Sequence, residues 1–277
     1  MKTKPAVSVS RASLWHIPLA FLVAMALVPV LFALLYSFKS LQSIYGDAGL
    51  FTSGFTLDNY RDIARQLPIV QITLNTLTVA VLVTACKLLT SILAAYAFVF
   101  TSFRGKTVLY FLLISTIFIP FTVTMIPNYI TVSKLNLFDS VLGIVLPQLA
   151  DATGIFLLRQ FFMSLPKELS EAAIIDGCGH VRIFTRIMLP LSKSAISALV
   201  IFTFIKVWND YLAPLIYLQT PEKRTVQLGL SLFRSQYSME YSVVMAGTVC
   251  ALLPILILYF CCEKQITEGI AFSGMKN

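Results

Sequence analysis

The sequence predicts an all-α membrane protein: six kinked transmembrane helices that carry a polar helix-turn-helix loop on one side. Three observations lead there. Of 277 residues, 57% are hydrophobic and only 12% charged, against roughly 25% charged in soluble domains. Six apolar runs each reach the ~20 residues that a helix needs to cross a hydrocarbon core of about 30 Å. Between two of these runs, Leu165 to Leu191 is polar and carries helix start and stop signals, so it must fold outside the bilayer.

In chain order, residues 1–13 form an N-terminal segment with Lys2, Lys4 and Arg11, followed by the first span, Leu14 to Tyr36. That run is longer than a signal-peptide core and lacks a small-residue cleavage site, which makes it a retained span. Residues 37–73 lie outside the membrane on the far side. The core, 74–262, holds Leu74 to Phe100, Val108 to Pro127, Val141 to Phe162, Ala195 to Leu218 and Ser242 to Cys262, and residues 263–277 form a tail. Pro18, Pro29, Pro120, Pro147, Pro214 and Pro254 fall within spans. A proline frees a carbonyl and bends the axis, so kinked helices around a cavity are expected.

Orientation follows from Lys and Arg beside the spans. Lys2, Lys4, Arg11, Arg104, Lys106, Arg159, Lys167, Arg182, Arg186, Lys193, Lys264 and Lys276 gather on the N-terminal side; Lys39, Arg61, Arg65, Lys134, Lys223, Arg224 and Arg234 lie opposite. Both termini and the 165–191 loop are therefore expected in the cytoplasm. The net charge of +8 is explained by this bias, since no basic stripe interleaved with aromatics suggests nucleic acid. Cys86, Cys178, Cys250, Cys261 and Cys262 fall in spans or on the cytoplasmic side, where no structural disulfide is expected.

Within the loop, Pro166 suits a first helical turn, and Gly177 with Gly179 can end that helix in left-handed conformations. A helix is predicted from Pro166 to Asp176. A second runs from His180 to Met188, with Val181, Phe184 and Met188 on one face and Pro190 closing it.

This pattern resembles the EAA loop of ABC importer permeases: Glu171, Ala172, Ala173, Asp176 and Gly177 match E-A-A-x-x-D-G, and Ile187, Leu189, Pro190 and Leu191 match I-x-L-P-L. Cys178 stands where an alanine is usual. Phe55 to Tyr60 (F-T-L-D-N-Y), Asn75-Thr76-Leu77, Ala94 to Ala97 and Trp208-Asn209 with Pro214-Leu215 extend the resemblance, as does the tail from Gly269, with Ser273 at a usual glycine. The maltose-type carbohydrate group is the best match. Asp139 to Leu215 is also similar to the glycerol-3-phosphate permease subunit, through Arg159 to Phe162 and Pro190 to Lys193.

The resemblance implies a subunit that moves a carbohydrate, an oligosaccharide first, by alternating access. Its partners are a second permease, two ATPase subunits holding ATP and Mg, an extracytoplasmic substrate-binding protein, and membrane lipid. Glu171, Ala172, Ala173, Asp176, Gly177, Arg182, Arg186 and Pro190 become the ATPase-coupling residues. Lys223, Arg224 and Phe233, in the loop from Thr220 to Glu240, become candidate contacts for the binding protein. A glycerol phosphate ester or polyol cargo, and an ion-coupled transporter, are the alternatives.

No catalytic or metal constellation is expected, because His16 and His180 lack companions in sequence. Gly105-Lys106-Thr107 reads as an ordinary turn, not a phosphate loop, since Phe100 stands at the first glycine position. Lys87, Asp151, Lys206 and Asp210 fall inside spans and must face the interior, a partner or water. Lys206 and Asp210, four apart, can pair within one helix. Gln148, Asp151, Asn209 and Asp210 are candidates for a polar translocation path, with structural pairing as the other reading.

Overall fold

The computed structural model describes residues 9–40, 43, 55–236 and 240–274, with side chains described over 16–40, 43, 55–233 and 240–264. Residues 1–8, 41–42, 44–54, 237–239 (in the predicted loop from Thr220 to Glu240) and 275–277 lie outside the described residues. The chain divides into two units, Met1–Leu67 with Leu232–Cys250, and Pro68–Ser231 with Ala251–Asn277.

In the first unit, α1 (Val9–Ser37) contains Pro18 and Pro29 without interruption. Over His16–Ser37 it has the length and hydropathy of a membrane span. A short helix, α2 (Asp58–Gln66), then closes its end. The Asn59 amide donates to the carbonyls of Ser37 and Lys39, at 2.8 and 2.9 Å; the first belongs to the last turn of α1, whose carbonyls otherwise lack a helical partner. The Phe38 and Tyr60 rings pack 5.2 Å apart. The F-T-L-D-N-Y stretch is therefore a cap for the first span.

The second unit is built around α3 (Ile69–Phe100), 32 residues with no proline, about 48 Å long at 1.5 Å per residue. It starts five residues before the predicted Leu74. Next come α4 (Lys106–Ser115), extended by a 3-10 turn to Phe118, and α5 (Phe121–Lys134). These two meet at 101°. The cause is local: Pro120 drives Ile119 into extended backbone (φ −82°, ψ 112°), as the residue before a proline prefers. The Lys106 ammonium donates to the Thr101 carbonyl at 2.8 Å, so the GKT sequence caps the end of α3.

The fourth span is also broken: α6 (Val141–Val145), with a 3-10 turn through Pro147 to Gln148, joins α7 (Ala152–Ser164) at 46°. The coupling loop follows as α8 (Lys167–Ile175) and α9, which is α-helical over His180–Ile183, π-helical over Phe184–Met188 and α-helical again over Leu189–Leu191. The fifth span is α10 (Lys193–Trp208) with α11 (Leu212–Tyr217). After α12 (Val226–Gln236), α13 (Tyr241–Gly274) passes through Pro254 unbroken and supplies the sixth span.

Packing is densest where α3 meets α7 and α10. The approach of α7 is close: a Cβ at Gly154 would stand 2.6 Å from the Ser91 hydroxyl. Trp208 is fully buried, and its indole N–H donates to the Ala251 carbonyl at 3.1 Å, the partner a buried tryptophan needs.

Candidate functional site

The 165–191 loop is held by its turn and by a shared core. Gly177 adopts φ +79°. Its N–H reaches the Ile174 carbonyl at 3.0 Å, and the Cys178 N–H reaches Ala173 at 2.9 Å. This pair of bonds is a Schellman cap, which requires a left-handed residue and favours an apolar contact between the residues at the positions of Ala173 and Cys178. Ala173 is buried and Cys178 packs on the same cluster, so cysteine replaces alanine there without loss of the contact.

Gly179 departs from expectation. Its φ of −75° is ordinary, and it serves as the N-cap of α9. Pro190 does not close α9 either. A proline at 190 cannot bond the Arg186 carbonyl, and the helix accommodates this by widening: the Leu189 N–H reaches back five residues to Phe184. The chain then turns by 74° into α10. The wider turn also changes which side chains face inward. Ile183 and Met188 are buried, while Val181 is 77% exposed.

Ala173, Ile183 and Met188 enter one cluster with Ile92, Ala95 and Tyr96 of α3, Leu158 and Phe162 of α7, and Leu199 of α10. The loop is thus seated on three membrane helices. Its other side is open: Glu171, Ala172, Asp176, Arg182 and Arg186 are exposed, and Ile174 and Ile175 stand 57% and 85% exposed beside them. Apolar side chains set among charges of both signs form a face suited to a protein partner.

The embedded charges form a second feature. Lys87, 7% exposed, interacts electrostatically with Asp151, Lys206 and Asp210. Two lysines and two aspartates from α3, the α6–α7 break, α10 and the α10–α11 break are thus gathered around Lys87 with balanced charge, and among the described residues none of the four forms an ion pair within 4 Å. Lys206 and Asp210 do not make the expected helical pair. The α-helix ends at Trp208, and the Asp210 carboxylate instead accepts the Leu212 and Ala213 N–H groups at 3.1 and 3.3 Å.

Asp151 and Lys206 line a cavity of about 320 Å³ with Thr116, Ile117, Ile119, Phe121, Thr124, Ala150, Ala152 and Thr153. The cavity lies at the two helix breaks, where backbone groups released in an apolar medium need water or polar partners. Gln148, Asn209 and Asp210 are not among its lining residues. Gln148 bonds back to Ile144, and Asn209 bonds to Ile205 and Gln227.

The third candidate segment, 219–226, is tied down at several points. Asp139 accepts the N–H groups of Gln219 and Thr220, the Thr220 hydroxyl and the Lys223 ammonium. The Thr220 hydroxyl above all, then its N–H and Lys223, holds the Asp139 carboxyl well below the usual carboxylate range. Asn75 donates to the Glu222 and Arg224 carbonyls at 2.7 and 3.1 Å, and Thr76 accepts the Val226 N–H at 2.8 Å. The N-T-L signature thus holds this loop, a role its spacing alone did not disclose. Lys223 is engaged by Asp139, Arg224 is half-buried, and Phe233 is 2% exposed and presents no surface.

The family described as binding-protein-dependent transport system inner membrane component matches residues 87–263. The chain is 30% identical to the arabinooligosaccharides transport system permease protein AraQ of Halalkalibacterium halodurans, over 100% of this chain and 99% of that protein. It is 37% identical to the sn-glycerol-3-phosphate transport system permease protein UgpE of Yersinia pestis, over 72% of each. It is 34% identical to the lactose transport system permease protein LacG of Rhizobium radiobacter, over 80% of this chain and 82% of that one. A bacterial ABC transporter involved in the import of the acidic polysaccharide alginate shares the fold, with a TM-score of 0.78, 23% identity, and coverage of 94% of this chain and 99% of that chain. With six apolar crossings and a seated helix-turn-helix loop, the chain belongs to the family of binding-protein-dependent transport system inner membrane components, as a permease subunit of an ABC importer.

Proposed function

We propose that this chain moves a neutral oligosaccharide into the cytoplasm of a bacterium or archaeon by alternating access. It acts as one permease of a heterodimer, with two ATPase subunits inside and a substrate-binding protein outside. ATP and Mg belong to the ATPase subunits. The observation that carries this reading is the two-sided loop: Ala173, Ile183 and Met188 anchor it on α3, α7 and α10, while Glu171, Ile174 and Ile175 face outward. Closure of the ATPase dimer moves that face, and the anchored side passes the movement to the spans. Such coupling requires contacts that differ between two states.

In this reading both termini and the 165–191 loop are cytoplasmic, and the 219–226 loop faces the binding protein. The path for the sugar runs past Asp151 and Lys206. Two lysines against two aspartates leave no net charge there, which suits an uncharged cargo. Relatives named for arabinooligosaccharides and lactose agree with this. A glycerol phosphate ester is the second reading, favoured by the 37% identity to a permease named for that cargo.

Purification in mild detergent tests the assembly. An ATPase should accompany the wild-type chain and be lost from Glu171→Lys. Retention of the ATPase by that variant, or no ATPase with wild type, overturns the docking assignment. Uptake of lactose against sn-glycerol 3-phosphate in vesicles, each with its own binding protein, separates the two cargoes.

A further inference from the structure

We propose that α3 is a push rod that couples the 219–226 loop to the 165–191 loop, with Asn75 and Tyr96 as the positioning residues at its ends. The inference rests on the proposed function for the identity of the two partners that meet these loops.

Tyr96 is 8% exposed near one end of α3. Its hydroxyl donates to the His180 carbonyl at 3.1 Å and lies 3.3 Å from His180 Nδ1. His180 is the first residue of α9, directly after the turn that ends α8. The same carbonyl also receives the Phe184 N–H, where α9 passes from α to π geometry. The Tyr96 ring meets Phe184 and Phe100, each with centroids 5.0 Å away. In a cluster otherwise held by apolar contacts, which tolerate sliding, this hydrogen bond fixes direction and distance.

At the other end, Asn75 holds two carbonyls of the 219–226 segment, and Thr76 both accepts the Val226 N–H and donates to Ile72. Between these ends the helix contains neither proline nor glycine. Its neighbours bend by 101° and 46°, whereas α3 runs unbroken for about 48 Å. A displacement at either end is therefore delivered to the other rather than absorbed in a hinge. Lys87, with its charge-balanced group, lies on the same rod between the two contacts.

The test uses the assembled transporter in proteoliposomes and reads ATP hydrolysis with and without sugar-loaded binding protein. Tyr96→Phe keeps the ring and removes the hydroxyl; Asn75→Leu removes the donor at the far end. Each should leave ATPase retention and unstimulated hydrolysis unchanged while reducing the stimulated rate about fivefold, the equivalent of one net hydrogen bond. The double variant should fall no further than either single one, because both act through one element. His180→Ala, which leaves the backbone acceptor in place, should retain most of the stimulation. Unchanged stimulation in both single variants overturns the push rod, as does a double variant whose losses multiply. If wild type is not stimulated at all, the proposed function fails, and this inference with it.

Discussion

The Lys223 ammonium lies 2.9 Å from the Asp139 carboxylate and 2.7 Å from the carbonyl of the same residue, 84 positions earlier in the chain. The ion pair itself is half-exposed and adds little alone. Its effect comes from company: two N–H groups and a hydroxyl converge on the same carboxylate, and the 219–223 segment is fixed as one piece.

That convergence predicts a pH dependence. The Asp139 pKa is lowered in the folded chain, chiefly by the Thr220 hydroxyl, from an ordinary 3.8. Its contribution is therefore present above the unfolded value and disappears as pH falls through the lower folded one. The melting temperature of wild type should exceed that of Asp139→Asn by a constant amount above about pH 4, and the gap should narrow below it. A gap that stays constant to about pH 2 would disprove the assignment.

The two glycines of the coupling turn should respond differently to alanine. Gly177 sits at φ +79° with open space where an alanine methyl would point, so Gly177→Ala carries a backbone cost alone, about 1 kcal/mol. Gly179 has an ordinary φ and equal space, so Gly179→Ala should change stability by less than about 0.5 kcal/mol. Thermal melts of the two variants, with ATPase retained after washing as a second readout, check the contrast.

Close contact between α3 and α7 at Ser91 and Gly154 makes a paired prediction. Gly154→Ala drives a methyl against the Ser91 hydroxyl and should destabilise by about 1–3 kcal/mol. Ser91→Ala removes the atom that is struck and should restore part of the loss in the double variant, a coupling readable in a double-mutant cycle.

Asp151→Asn leaves Lys87 and Lys206 facing Asp210 alone. Lys87 is buried, while Asp151 is half-buried and Lys206 exposed, so the loss of this carboxylate falls mainly on Lys87. Stability should fall by about 1–3 kcal/mol and uptake by about tenfold. Lys87→Met added to Asp151→Asn restores the balance and should recover the melting temperature. If uptake and assembly are both normal in Asp151→Asn, the residue is neither on the path nor part of the balance.

The sequence by itself determined what depends on neighbours along the chain. The six apolar runs, the capped turn at Gly177 and the break at Pro120 all follow from hydrophobic length, left-handed backbone and the steric reach of one proline ring. The family was legible too, through resemblance: E-A-A-x-x-D-G and I-x-L-P-L stand between two apolar runs at the separation found in the loop of ABC importer permeases.

Only the tertiary structure decided which distant groups meet. Lys206 and Asp210 looked like a pair on the assumption of an unbroken helix; the break after Trp208 turned Asp210 to a new cap, while Lys206 lines a cavity that Asp151 also lines. Phe233 went inward, Asn75 and Thr76 took hold of a loop 149 and 150 residues further on, and Tyr96 reached His180. Spacing along one helix predicts neighbours only while the helix continues. Contacts between helices depend on how their faces pack, and no local pattern encodes that.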